Sequence, residues 1–476
     1  MGKVEREFLL RANPRSGPFK VPSFLPRARN KGLGLERLEG QRYLSPEFMQ
    51  AEWRQIWTKT WQLVTRVSDF EEPGSFHVHE LGKESFLFVR GNDGEIRGLY
   101  NVCQHRGNRL CQADSGILDT FTCPFHGWQW HTDGSLKQVA APEFFPQFAQ
   151  GIPHEELALP KVQVAQWGGW LWFNMDPNAC SLREYLGELG EHLETYEFES
   201  WDLIDVQTFE WAGNWKHAVD AFNESYHFAA LHPDMIEFGE GHDIPIELWG
   251  IHSRMLNFNR TVSELVGDRD TMTPLRAHMM GRRRNQPELA DDLLAKDAHL
   301  VEIAYRRSIE NETYLPYRHM NDEQLVHQYH YTFFPNTTFT QTPEGGAVFR
   351  YRPHATDPGR CYYDFFVMSR RPPGSPKLAR PPHRVHSHEG PIDYAAAFEG
   401  TFDPVLANVL AQDGSNMATM QAGIASDSFK GMILSEQEIR LRHFHKTIDE
   451  FITGNVSTRQ LLPADFYLER SEDQTE

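Results

Sequence analysis

Two short boxes constrain this chain most: Cys103-Gln-His105 and, after 17 intervening residues, Cys123-Pro-Phe-His126. Two thiolates and two imidazoles at this spacing suit a [2Fe–2S] cluster, with the cysteines on one iron and the histidines on the other. Soft thiolates suit iron and sulfide, and imidazole raises the reduction potential above that of an all-cysteine cluster. Each box continues into glycine, His105-Arg106-Gly107 and His126-Gly127-Trp128, which lets backbone N–H groups approach the cluster sulfurs. The competing reading is a Cys₂His₂ zinc site. The single-residue gap in Cys103-x-His105 is unusual for it. Cys111, Cys180 and Cys361 read as small buried hydrophobes, and five scattered cysteines make no disulfide framework.

The 476 residues allow two or three domains, and 40% hydrophobic with 24% charged residues describes a globular chain. A net charge of −19 argues against a nucleic-acid partner. There is no apolar run near the ~18 residues of a membrane span, and no hydrophobic signal core, so a cytoplasmic protein is expected. Residues 1–44 read as an irregular arm. A helix is expected over 45–65, behind Ser45 and Pro46. Residues 75–100 alternate as strands around an Asn92-Asp93-Gly94 turn, and 167–177 reads as one strand. We therefore expect an all-β domain over 45–175 and a mixed domain over 176–476. In the latter a helix is expected at 180–200, strands at 203–212, 326–342, 346–353 and 360–369, and a Pro-rich solvated loop at 370–395. Residues 238–325 suggest a lid or a surface insertion. A helix is expected from Ser435, capped with Glu438.

The second constellation is NWKHAVDAFNESYHFAALHPD, residues 214–234. On a continuous helix Asp220, Glu224 and His227 share one face. His232 would then lie about 140° away, so the helix must loosen or end before Pro233 for both histidines to hold one metal. Two imidazoles and a carboxylate on one triangular face leave positions open for dioxygen. Spacing alone does not choose the carboxylate, and two satisfied histidines on an ordinary helix remain the plain alternative.

Cys-x-His with Cys-x-x-His, then Asn-Trp-Lys, an acid two residues before Tyr-His, and a second His after four more residues resembles the catalytic α subunit of Rieske non-heme iron oxygenases, the aromatic-ring-hydroxylating family. The respiratory Rieske type carries an extra cysteine in each box, where this chain has Asn108 and Phe125. The resemblance implies that Cys103, His105, Cys123 and His126 bind the Rieske [2Fe–2S] cluster. It implies that His227 and His232 bind Fe(II), with Asp413 of Gln412-Asp413 as third ligand. It further implies an α+β fold: a small all-β Rieske domain beside a larger helix-grip, START-like domain with an antiparallel sheet. Glu224 falls at the acid that bridges one subunit's cluster to its neighbour's iron, and Asp220 lies four residues before it. The family usually has Asp at the bridge and a Glu-Asn pair upstream, so the acids look exchanged. A longer bridging acid is similar to members acting on quaternary ammonium compounds.

The expected function is a terminal oxygenase that hydroxylates or cis-dihydroxylates an apolar, aromatic small molecule with O₂, as in aromatic hydrocarbon catabolism. A monooxygenase or demethylase of quaternary ammonium or N-/O-methyl compounds is the alternative, and an electron carrier without the second iron a third. There is no GxGxxG after a strand and no plant-type ferredoxin cysteine run, so electrons are expected from a separate ferredoxin or NAD(P)H-dependent reductase. The resemblance implies a homotrimer or α₃β₃ assembly. Phe222, Phe228, Met235 and Trp249 are candidates for the substrate pocket.

Overall fold

The computed structural model describes residues 33–237, 239–240, 244–263, 265–279, 294–401 and 403–455. Most of the arm expected over 1–44 lies outside them. The chain divides into two compact units: Gln50–Tyr185 with Pro353–Asp357, and the rest. The domains proposed from the sequence, 45–175 and 176–476, differ from these at their edges.

The smaller unit is built on β1 (Gln62–Arg66), β2 (Ser75–Leu81), β3 (Glu84–Arg90), β4 (Ile96–Tyr100), β5 (Ser115–Ile117), β6 (Thr120–Thr122), β7 (Gln129–His131), β8 (Leu136–Gln138), β9 (Lys161–Trp167) and β10 (Trp170–Asn174). Seven strands form one sheet in the order β1-β10-β9-β4-β3-β2-β5, and β6-β7-β8 form a second. The helix expected over 45–65 is shorter. It runs from Pro46 to Glu52, widens over Trp53–Trp57 and gives way to β1. Thr60 Oγ1 donates to the Ile56 carbonyl and ends the turn, and the β-branched QLVTR segment pairs with β10 instead. The single strand expected over 167–177 is half of a hairpin. Gly168 and Gly169 have φ of +59° and +69°, the two-residue turn whose twist matches paired strands. Trp170 accordingly faces Trp167.

The larger unit contains β11 (Trp201–Trp211), β12 (Gly239–Glu240), β13 (Ile246–Trp249), β14 (His252–Asn259), β15 (Gln328–Phe333), β16 (Thr337–Gln341), β17 (Gly345–Pro353), β18 (Cys361–Arg370) and β19 (His383–His386). Their order is β12-β14-β15-β16-β17-β18-β11-β19, with β13 paired to β14. β12 with β14, the run β14-β15-β16-β17 and the pair β18-β11 are antiparallel, and β19 runs parallel to β11. The 370–395 stretch is thus not only a solvated loop: its middle adds this edge strand. The 326–342 strand divides at a turn between Phe333 and Thr337.

Helix α1 (Leu182–Glu194) precedes β11, and four helices matter for the site: α2 (Trp215–Phe222), α3 (Phe228–Leu231), α4 (Pro404–Ile424) and α5 (Ile439–Thr453). Ser435 and Glu438 make the expected capping box, and a short 3₁₀ turn leads into α5. One face of the sheet carries Trp211, Phe349, Tyr351 and Tyr363, rings that stack on one another and on Phe222 of α2. Among the described residues no helix is long and apolar enough to cross a membrane.

Candidate iron–sulfur and metal centres

The two boxes occupy loops with the same backbone plan. Cys103 N–H donates to the Asn108 carbonyl (2.8 Å) and Gly107 N–H to the Cys103 carbonyl (2.9 Å); Cys123 to Trp128 (2.8 Å) and Gly127 to Cys123 (3.0 Å) repeat the pattern. Gly107 and Gly127 close the turns at φ of +76° and +74°, where a side chain is strained. Both cysteines are buried in the core of the unit. Their thiols are within hydrogen-bond reach of each other, and the amides of His105 and Arg106 point at Cys103, those of Phe125 and His126 at Cys123. Burial raises the Cys123 thiol, but these donors outweigh it and hold the pKa below the ordinary thiol value.

The imidazoles of His105 and His126 are 4.7 Å apart between centroids, and His105 stacks flat on Trp128 at 4.8 Å and 6°. His105 Nδ1 is buried with no hydrogen-bond partner. A buried ring nitrogen left open beside two amide-solvated sulfurs and a second imidazole fits the donor set of a mixed-ligand [2Fe–2S] cluster.

The second constellation departs from the continuous helix expected for it. Asn214 caps the start of α2 by accepting from Lys216 N–H (3.0 Å), and α2 stops at Phe222. Asn223 then accepts from the Thr332 hydroxyl at 2.6 Å, tying the chain to β15. Glu224 turns its carboxylate onto the backbone N–H groups of Tyr226 and His227, which starts the one-turn helix α3. His227 and His232 stand at the two ends of α3, so their rings converge at 5.1 Å. The break comes before His227, not between the histidines. Asp220 therefore does not share a face with Glu224 and His227. Its buried carboxylate accepts from Tyr43 Oη (2.5 Å) and lies 3.1 Å from His445 Nε2.

Asp413 arrives from the middle of α4. Its Oδ1 is 3.1 Å from His232 Nε2 and 3.6 Å from His227 Nε2, and one ligand atom from each residue lies within 4.8 Å of the others. Each imidazole is held from behind. His227 Nδ1 bonds Glu224, and His232 Nδ1 bonds Gln412 Oε1 at 2.7 Å. Engaging Nδ1 as the N–H leaves the Nε2 lone pairs free to converge with a carboxylate oxygen. His232 and Asp413 are 2% and 3% exposed. This donor set fits a 2-His-1-carboxylate ferrous site with open positions.

The residue model of the ring-hydroxylating alpha subunit catalytic domain matches residues 198–454, and that of the Rieske [2Fe–2S] domain matches residues 60–149. This chain belongs to the ring-hydroxylating alpha-subunit family. Within it, the chain is similar to the glycine betaine monooxygenase oxygenase subunit of Pseudomonas aeruginosa, 28% identical over 195 residues, 41% of this chain and 44% of that one. It is also similar to the biphenyl 2,3-dioxygenase alpha subunit of Rhodococcus jostii, 31% identical over 196 residues, 40% of this chain and 42% of that one. The matched stretch thus spans less than half of either relative. The fold is that of Rieske oxygenase structures: naphthalene 1,2-dioxygenase from a Rhodococcus species matches with a TM-score of 0.60 at 18% identity, over 88% of this chain and 95% of that one.

Gln412 as the partner of His232 and Asn223 as the anchor of the helix break are absent from the sequence reading, as is α4 itself. The signal for α4 is Asp403-Pro404, an N-cap followed by proline at the first helical position. Of the pocket candidates, Phe222 packs on Tyr363 (5.4 Å) and Phe228 on His232 (5.9 Å). Trp249 is instead taken up by Glu247 and Arg254, and Met235 packs against the Val262–Ala298 core.

Proposed function

We propose that this chain is the oxygenase component of a multi-chain system. Cys103, His105, Cys123 and His126 would hold the [2Fe–2S] cluster, and His227, His232 and Asp413 the Fe(II). When bound, the cluster would supply single-electron transfer and the ferrous ion a centre for dioxygen activation. The protein's own work is to orient and to exclude water. Glu224 fixes the His227 ring with one carboxylate oxygen and holds the turn leading into α3 with the other. Gln412 fixes His232, and burial keeps Asp413 dry. Electrons come from a separate ferredoxin or reductase, and the working unit is a homotrimer or α₃β₃, readings that family membership supports.

One observation carries this proposal: both Nε2 atoms meet Asp413 Oδ1 while both Nδ1 atoms are occupied from behind. The substrate reading is hydroxylation of an apolar, aromatic small molecule, supported by the likeness to the biphenyl enzyme and by the ring-lined sheet face. The second reading is oxidation of a quaternary ammonium compound, favoured by Glu224 at the bridging place and by the likeness to the glycine betaine enzyme. Aromatic faces suit a cation as well as an apolar ring.

Metal analysis tests the proposal. Anaerobically reconstituted protein should hold about three irons per chain, two in the cluster and one mononuclear. Oxygen-dependent products should form with a surrogate reductase. Protein with the cluster alone, or with zinc in the first site, would overturn it.

A further inference from the structure

Arg440, near the start of α5, is fully buried. Its Nε donates to Ser253 Oγ (3.0 Å), and its Nη2 donates to Thr332 Oγ1 (2.8 Å) and lies 3.5 Å from the His330 carbonyl. All these partners are neutral, and Nη1 has no partner at all. Among the described residues, Arg254 and Arg306 are as deeply buried, and each is held by a glutamate: Arg254 by Glu247 at 2.6 Å and Arg306 by Glu302 at 2.5 Å. Among the described residues Arg440 has no such acid. Burial pulls its pKa down to about 9, which still leaves it cationic at neutral pH. A buried charge without a counter-charge is costly, and the cost is removed when an anion arrives.

The surroundings are set up for one. Tyr363 Oη and His330 Nε2 are also buried without hydrogen-bond partners, and the buried Tyr351 Oη has only the neutral Thr338 hydroxyl within reach. Tyr351 stacks on Tyr363 (5.4 Å), and Phe349 lies 5.6 Å from Tyr363 and 6.2 Å from His330, so these groups share one sheet face. Tyr351 is within electrostatic reach of both Arg440 and Asp413. Thr332 relays the Arg440 hydrogen bond to Asn223, the residue before Glu224. Arg440 and Tyr351 therefore adjoin the His227–His232–Asp413 group. Phe222 covers Tyr363, packed flat on it at 6° but still partly exposed at the end of α2.

We infer that Arg440 and Tyr351 form an anion subsite that clamps a carboxylate of the substrate, whose remaining part lies along the Phe222, Phe349 and Tyr363 rings toward His227, His232 and Asp413. The free guanidinium Nη1 group and the Tyr351 phenol match the two oxygens of a carboxylate; a phosphate would bring excess charge to a single cation. The inference rests on the reading of those three residues as the reacting centre. It narrows both substrate readings to acids: an aromatic acid, or an ammonium acid.

The test is calorimetric titration of the iron-loaded holoenzyme with two matched pairs, benzoate against benzamide and glycine betaine against choline. At least one acid should bind about tenfold or more tightly than its carboxylate-free counterpart. Benzoate identifies the aromatic source and glycine betaine the ammonium source. Arg440→Gln should lose about 10- to 100-fold in affinity for that acid with the counterpart unchanged. Tyr351→Phe should lose less, in the same pattern, and decides the matter if Arg440→Gln does not fold, as read from its urea unfolding transition. The inference is overturned if neither acid outbinds its counterpart, or if the variants weaken acid and counterpart alike. Binding is read without turnover, so failure of oxygenase activity would count against the proposed function and not against this subsite.

Discussion

Replacing Gln412 with leucine removes one hydrogen bond, 2.7 Å long, from the back of His232. The ring is 2% exposed, so no water is at hand to take the acceptor's place. Two consequences follow. The Nδ1–H becomes a buried unpaired donor, which costs about 1–3 kcal/mol. The ring also loses its tautomer preference, so part of the population presents Nε2–H, which cannot bind a metal. Loss of such outer partners typically lowers metal affinity about 10- to 100-fold, or roughly 1.4–2.8 kcal/mol. The leucine variant belongs in the upper half of that range because the site is dry. Gln412→Glu keeps an acceptor and should stay within about threefold of the parent. The assay is anaerobic Fe(II) titration against a competing chelator, normalised to cluster absorbance. The reasoning fails if Gln412→Leu binds iron like the parent, or if Gln412→Glu loses as much as leucine does.

Glu224→Ala should retain the cluster spectrum but lose turnover, because the carboxylate both orients the His227 ring and holds the backbone turn before α3; normal product formation would remove the bridging role. Asp220→Ala should destabilise the chain by about 1–3 kcal/mol in urea unfolding, since it leaves the buried Tyr43 hydroxyl and His445 imidazole without their acceptor. Its Fe(II) affinity should change little, and a selective loss of iron would contradict the placement of Asp220 outside the triad. Burial lowers the pKa of His217, His299 and His443 to about 4. Between about pH 6.5 and 4 the unfolded chain binds these protons and the folded chain does not, so stability falls as pH falls. Each histidine contributes up to about 1.4 kcal/mol per pH unit. A urea midpoint that stays constant between pH 7 and 5 would refute this.

The cluster boxes are legible because their ligands are local: each pair spans three or four residues, and one turn with a closing glycine positions both. The capping box at Ser435 and Glu438 is legible for the same reason. The helix through residues 214–232 misleads because its periodicity is sound as far as Phe222. The break at Asn223 depends on Thr332 in β15, a hundred residues later, which no local pattern announces. The 167–177 segment shows the converse: its Gly168-Gly169 pair carries the turn openly, yet the apolar run around it reads as one strand.

By itself the sequence determined which atoms are available to bind metal: two thiols and two imidazoles in one pair of boxes, two further histidines, and a set of acids among which Asp413 stands out only by resemblance. Tertiary structure decided which of those atoms meet. It placed Asp413 on the two Nε2 atoms, sent Asp220 to Tyr43 and His445, put Gln412 behind His232 and left Arg440 without a counter-charge. The physical reason is reach. Ligand spacing and turn chemistry act over a few residues, whereas the convergence of α2, α3, α4 and α5 on one sheet face depends on packing between segments far apart in the chain.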